Sequence, residues 1–152
     1  MKSLEVKAGT GCVRRRRVMG ERVAQDGLSL RIAELIGPRL GDVERCLASE
    51  LAAGGSCVAD LVDHVRRFPG KRLRPMLLLV SAEACGKVID EHVVLATVVE
   101  LIHTATLVHD DVLDEAPTRR HLASLNARFG VENSVLFGDY LFATSATFVC
   151  DT

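Results

Sequence analysis

The run DEHVVLATVVELIHTATLVHDDVLD, residues 90–114, decides the fold. Apolar side chains surround it on nearly every side from Val93 to Val108, the pattern of a helix enclosed by other helices. Asp90 is placed to open it and Pro117 to mark its exit. At ~100° per residue, Asp114 lies ~40° from Asp110, and His103 lies ~20° from it on the other side. Asp110 and Asp114 are ~6 Å apart along the axis, close enough to share an ion and phosphate oxygens, whereas Asp111 sits ~100° around and points less directly at them. The stripe His103–Asp110–Asp114 is therefore expected to face one cavity.

Carboxylates in an apolar setting repel one another and resist desolvation, so they need a cation. Oxygen-only ligands suit a hard divalent ion, above all Mg²⁺, which keeps some waters and completes its shell with substrate phosphates. Arg119 and Arg120 follow with fork-shaped donors for the same kind of anion. Aspartates that merely terminate a solvent-facing helix are the competing reading. Two adjacent acids at a helix C-terminus oppose its dipole, which weakens that alternative. His103 alone reads as a satisfied core histidine; only the ensemble points to a site.

A second cluster, Gly70-Lys-Arg-Leu-Arg-Pro75, puts Lys71, Arg72 and Arg74 at a helix start, where cations are disfavoured unless an anion joins them. A solvated basic turn is the alternative. Together the clusters suggest two anionic sites, one metal-dependent and one held by side chains alone.

Outward from these clusters, the pattern predicts a helix over 28–36 capped by Ser29, then a second one starting at Pro38 with Leu40, Val43, Leu47 and Leu51 on one face. Ala53-Gly54-Gly55 ends it, and Ser56 can cap the next, which runs to about Phe68. After a turn at Pro69-Gly70, residues 71–85 read as a buried helix closed by Gly86. A short helix near 122–128 and an apolar one near 133–149 complete the chain. Residues 1–27 lack an apolar period and are expected to form a disordered basic leader. Arg14–Arg17 read there as a solvated tail, with a targeting or anion-binding element as the alternative.

The chain has 152 residues, 48% of them hydrophobic and 4% aromatic, which favours an all-α antiparallel helix bundle over a sheet sandwich. A net charge of −1 argues against a nucleic-acid binder. The five cysteines show no C-x-x-C pairing, so neither a disulfide framework nor a zinc site is expected, and a reducing, cytoplasmic setting fits. No stretch reaches the ~18–20 charge-free residues of a membrane span.

These residues resemble a known family, the trans-isoprenyl (polyprenyl) diphosphate synthases. Gly70-Lys-Arg-Leu-Arg-Pro75 is similar to its first basic motif, and His109-Asp-Asp-Val-Leu-Asp114 with Arg119-Arg120 to its first aspartate-rich motif. Phe137-Gly-Asp-Tyr-Leu-Phe142 resembles the helix that follows. The resemblance covers about 28–152 and implies the N-terminal part of an isoprenoid-synthase helical domain. It further implies that Asp110 and Asp114 bind Mg²⁺ with Asp111 assisting, and that Arg119 holds an allylic diphosphate. Lys71, Arg74, His103 and Arg120 would hold isopentenyl diphosphate. The implied reaction is head-to-tail condensation of the two. Small residues at Ala105 and Thr106 would leave room for a medium to long product, and Ala105→Phe would shorten it.

Two departures accompany the resemblance. The family continues Arg-Arg-Gly-x-Pro-Thr, where this chain has Arg-Arg-His121-Leu-Ala123-Ser. Its members are about twice as long and carry a second aspartate-rich motif, so an incomplete copy, inactive alone, is expected. It would work as a homodimer or as a heteromer with a complete synthase. A non-catalytic partner of such a synthase is a second reading, which the retained aspartates and arginines oppose. A third is a metal phosphohydrolase built on His109-Asp110, with His64, His92 and His103 as further ligands.

Overall fold

The computed structural model describes residues 11–150 other than 53, 57 and 69, with side chains from residue 27 onward. Two compact units divide the chain, residues 1–35 and 36–152. Over its described part the first unit is the opening stretch of helix α1 (Gly11–Ala52). Residues 11–27 of the expected leader thus carry helical backbone. Its first ten residues, the side chains of Arg14–Arg17, the turn residue Pro69 and the chain end at Thr152 lie outside the described residues.

The two short helices expected around Ser29 and Pro38 are one: both residues lie inside α1. Gly37 has no Cβ, which relieves the clash that normally drives the residue before proline out of the helical region. Pro38 itself is exposed. In the second unit, the later part of α1 buries Ile36, Val43 and Leu47 on one face.

Helix α2 (Ala59–Arg66) follows Val58 rather than a Ser56 cap and buries Val62, His64 and Val65. Helix α3 (Leu73–Ala84) buries Pro75, Leu79 and Ala82, but Leu73 and Leu77 are 62% and 70% exposed. Its leucine run therefore gives one inner face, not the enclosed helix expected. Helix α4 (Asp90–Leu113) packs against α3 and against α6 (Val131–Cys150). Between α4 and α6 lie a two-stranded hairpin, β1 (Thr118–Arg119) and β2 (Leu122–Ala123), and the short helix α5 (Leu125–Phe129).

Helix α4 buries Val93, Ala96, Thr97, Glu100, Leu101, Ala105, Val108 and Asp111 along one stripe, while Leu95, Ile102 and Leu113 stay exposed. The enclosure expected on nearly all sides holds for that stripe alone. By length and apolar content α4 could cross a membrane. Its buried Glu100, ion-paired to Arg72, and its packing in the bundle mark it instead as a core helix.

The α4–α6 crossing depends on Gly138. A Cβ there would fall within the His109 imidazole, whose Nε2 lies 3.2 Å from the Val135 carbonyl and whose ring stacks on Phe142. These contacts oppose displacement of the ring. Gly138→Ala is expected to lower unfolding free energy by about 1–3 kcal/mol through overpacking. Urea denaturation checks this, and an unchanged midpoint would show that the helices can separate freely.

Candidate functional site

Helix α4 ends in a left-handed turn. The Ala116 amide donates to the Asp111 carbonyl at 2.9 Å, and Glu115 takes φ 46°, a place usually given to glycine. This reverses the chain into the hairpin, where Thr118 pairs with Ala123 and Arg119 with Leu122. Its two-residue tip, Arg120 (φ 49°) and His121 (φ 70°), lies wholly at positive φ, where hairpins prefer Asn-Gly. Ser124, fully buried, closes the base by donating from its hydroxyl to the Ala116 carbonyl and capping α5. The left-handed backbone costs a side chain about 1–2 kcal/mol and glycine's extra entropy about 0.5–1, so His121→Gly is expected to stabilise the chain slightly. A lower thermal midpoint for that variant would contradict it.

The reversal lays Arg119 along α4. Its Nε and Nη2 donate to the two carboxylate oxygens of Asp111 at 2.6 and 2.8 Å, a bidentate pair. That bond holds the guanidinium pKa above its ordinary value, against the opposing effect of burial. Asp111 is 4% exposed and lines an inner cavity with His103, Arg119 and Arg120. Asp110 and Asp114 are exposed and line neither that cavity nor the cleft beside it. The expected stripe is thus corrected: the carboxylate facing inward with His103 is Asp111. Helical angles relate these residues to one another, but the Arg119 tether and the packing of α6 choose which of them turns inward.

The basic cluster closes around a cleft of about 450 Å³, lined by Gly70–Arg74, Glu100, His103 and Arg120. Arg72 takes a left-handed φ of 48° ahead of α3 and turns back into the protein. Its guanidinium donates to Glu44 of α1 at 2.7 Å and to Glu100 of α4 at 2.9 Å. Burial, the largest single influence, lowers its pKa, but the bonds and charges of Glu44 and Glu100 together outweigh it and hold the value above the ordinary one. Arg72 is therefore neutralised in place, and Lys71, Arg74 and Arg120 remain in the cleft with no carboxylate partner among the described residues. The clamp was not singled out from sequence, although Glu100, the lone carboxylate between Val93 and Val108, announced a need for a buried cation.

His103, on the same wall, has its pKa lowered, first by burial and then by Arg74, Arg119 and Arg120, with Glu100 opposing. Burial and the three arginines thus favour its neutral form. The cleft shares Arg72, Glu100, His103 and Arg120 with the inner cavity, whose wall is apolar: Leu47, Leu51, Val65, Phe68, Leu101 and Val108.

The two residues expected to set product length part company. Ala105 is 0% exposed in the core of the described residues. Thr106 is exposed, one turn before Asp110. The histidines proposed for a phosphohydrolase do not gather: His64 binds the Ala123 carbonyl and His92 the Ile89 amide. Among the described residues, no three His, Cys, Asp or Glu side chains form a metal-holding group.

A family model described as polyprenyl synthetase matches residues 56–151. Octaprenyl diphosphate synthase of Escherichia coli (strain K12) is 38% identical over 112 residues, which are 74% of this chain and 35% of that protein. Nonaprenyl diphosphate synthase of Mycobacterium tuberculosis is 40% identical over 108 residues, 70% of this chain and 32% of that one. Among solved structures, the polyprenyl synthase from Caulobacter crescentus CB15 complexed with calcium and isoprenyl diphosphate superposes with a TM-score of 0.74 at 34% identity. It covers 80% of this chain and 37% of its own. The decaprenyl diphosphate synthase from Rhodobacter capsulatus superposes with a TM-score of 0.72 at 37% identity, covering 80% and 38%. The chain spans about a third of the length of the curated relatives it matches.

Proposed function

The chain belongs to the polyprenyl synthetase family, and from that premise we propose that it carries the isopentenyl diphosphate site and the first metal wall of a prenyltransferase making medium to long chains. The observation that carries this is the cleft, where Lys71, Arg74 and Arg120 have no carboxylate partner among the described residues and stand beside His103, whose neutral form is favoured. Three uncompensated cations are the electrostatic footprint of an oligo-anion, and a diphosphate fits a cleft of about 450 Å³.

The allylic diphosphate is proposed to lie at the end of α4. Asp110 and Asp114 stand exposed on successive turns there and offer only oxygen. Two carboxylates, with waters and phosphate oxygens, suit octahedral Mg²⁺, so the residues present fit the ion. When bound, Mg²⁺ supplies Lewis-acid stabilisation of the departing diphosphate. Asp111 is tied to Arg119 and acts by aiming it, leaving the guanidinium's remaining donors for the same diphosphate. The isopentenyl double bond then attacks the allylic carbon as diphosphate leaves, and a proton is lost from the adduct. Apolar walls exclude the water that would quench the cation. Assembly with a second copy or with a complete synthase is part of the proposal, supported by exposed Leu95, Ile102, Leu136 and Phe142.

Calorimetric titration tests the site. Isopentenyl diphosphate is expected to bind without metal, and an allylic diphosphate only with Mg²⁺; failure of both at millimolar concentration would overturn the proposal. Little labelled isopentenyl diphosphate should be incorporated by the purified chain, since it spans about a third of its relatives' length. Robust turnover by the monodisperse chain would refute that.

A pH prediction follows from His103. Its lowered pKa means that the folded chain binds fewer protons than the unfolded one near the ordinary value of 6.5. This contribution to stability is complete above that pH and is lost as pH falls through the folded value. A bound diphosphate favours the imidazolium and offsets Arg74, Arg119 and Arg120. The His103 midpoint should therefore rise on adding isopentenyl diphosphate, with proton uptake. Imidazole NMR shifts followed against pH would show this, and an unmoved midpoint would place the anion elsewhere.

A further inference from the structure

We infer that His64 is a positioning residue for the diphosphate cleft, locking α2 and the basic segment that follows it to the hairpin carrying Arg119 and Arg120. This rests on the assignment of the cleft to a diphosphate. The two basic elements are far apart in sequence. A hairpin of two-residue strands is too short to hold its own position. It needs anchors on both strands. The Arg119–Asp111 pair anchors β1 to α4, and His64 supplies the counterpart on β2.

His64 is 5% exposed, and both of its ring nitrogens are engaged. Nε2 lies 2.7 Å from the carbonyl of Ala123, the residue paired with Thr118 in the hairpin. Nδ1 lies 3.0 Å from Nη1 of Arg128 in α5. A guanidinium can only donate, so Nδ1 accepts and Nε2–H donates to the carbonyl, which selects one neutral tautomer. The ring also meets Phe68 and Phe129 edge-on, at 5.3 and 5.6 Å between centroids. Phe68 lies just before Gly70, where the basic segment begins. One buried side chain thus joins α2, the approach to Lys71, strand β2 and helix α5. Among the described residues, no carboxylate pairs with this ring.

The test compares the 152-residue chain with His64→Phe and His64→Gln. Phenylalanine keeps the ring contacts and removes both hydrogen bonds; glutamine can return an N–H toward the Ala123 carbonyl. In His64→Phe, amide exchange over 117–124 is expected to accelerate about tenfold or more while α6 is unchanged, as suits the loss of one or two buried hydrogen bonds. Affinity for isopentenyl diphosphate should weaken about tenfold, and His64→Gln should restore most of both. If His64→Phe does not fold, Arg128→Met provides the second probe. It leaves Nδ1 without its donor and should loosen the same segment about threefold. Unchanged exchange over 117–124, or loosening spread evenly over every helix, would overturn the inference. If the unaltered chain binds no isopentenyl diphosphate, the cleft assignment fails, while exchange still decides whether His64 holds the hairpin.

Discussion

Arg119→Met is expected to destabilise the chain by about 3 kcal/mol, because it strands a buried carboxylate. The Asp111 side chain is 5% exposed and its two oxygens are both taken by Arg119. Breaking a buried pair from one side costs about 3–5 kcal/mol, and the lower end applies here since the Arg119 side chain is 22% exposed. Removing both charges should cost far less: Asp111→Leu with Arg119→Met replaces the pair with apolar packing, which is often near neutral. Urea unfolding of the single and the double variant beside the parent decides the matter. A single variant within about 1 kcal/mol of the parent would mean that Asp111 reaches water once released.

The second large effect is on binding. Replacing Lys71 and Arg74 together with alanine should weaken isopentenyl diphosphate by at least about 100-fold, since each charge-assisted bond to a phosphate contributes about 1.5–3 kcal/mol. Both residues are exposed and neither has an ion pair among the described residues, so the urea midpoint should stay where it is. Arg72 provides the contrast. Its guanidinium serves Glu44 and buried Glu100, so Arg72→Ala should unfold more readily as well as bind less well. A double variant that binds normally would show that the cleft is not the anion site. One that unfolds would show that the two charges hold structure instead.

Legibility in the sequence followed the range of the interactions. The α4 boundaries were readable because Asp90, Pro117 and the apolar run between them act within a few residues. Pro38 misled for a related reason. Its effect on α1 depends on Gly37 and on facing outward, and only the latter requires a structure. The hairpin was missed because its tip uses Arg120 and His121 at positive φ, where sequence reasoning looks for Asn or Gly. The motif residues Lys71, Arg74, His103 and Arg120, spread over 50 positions, do line one cleft. Charge type could suggest that convergence, but not build it.

By itself the sequence determined the all-α class, the central helix and the residue types of the two charged clusters. Those depend on composition, periodicity and residue type. Tertiary structure alone decided which acid turns inward. Asp110, Asp111 and Asp114 lie at set angles to one another on any helix, yet the helix as a whole can rotate. Gly138 seating α6 against His109, and Arg119 folding back on Asp111, stop that rotation at one angle. Asp111 then becomes a buried tether, while Asp110 and Asp114 stay exposed at the end of α4.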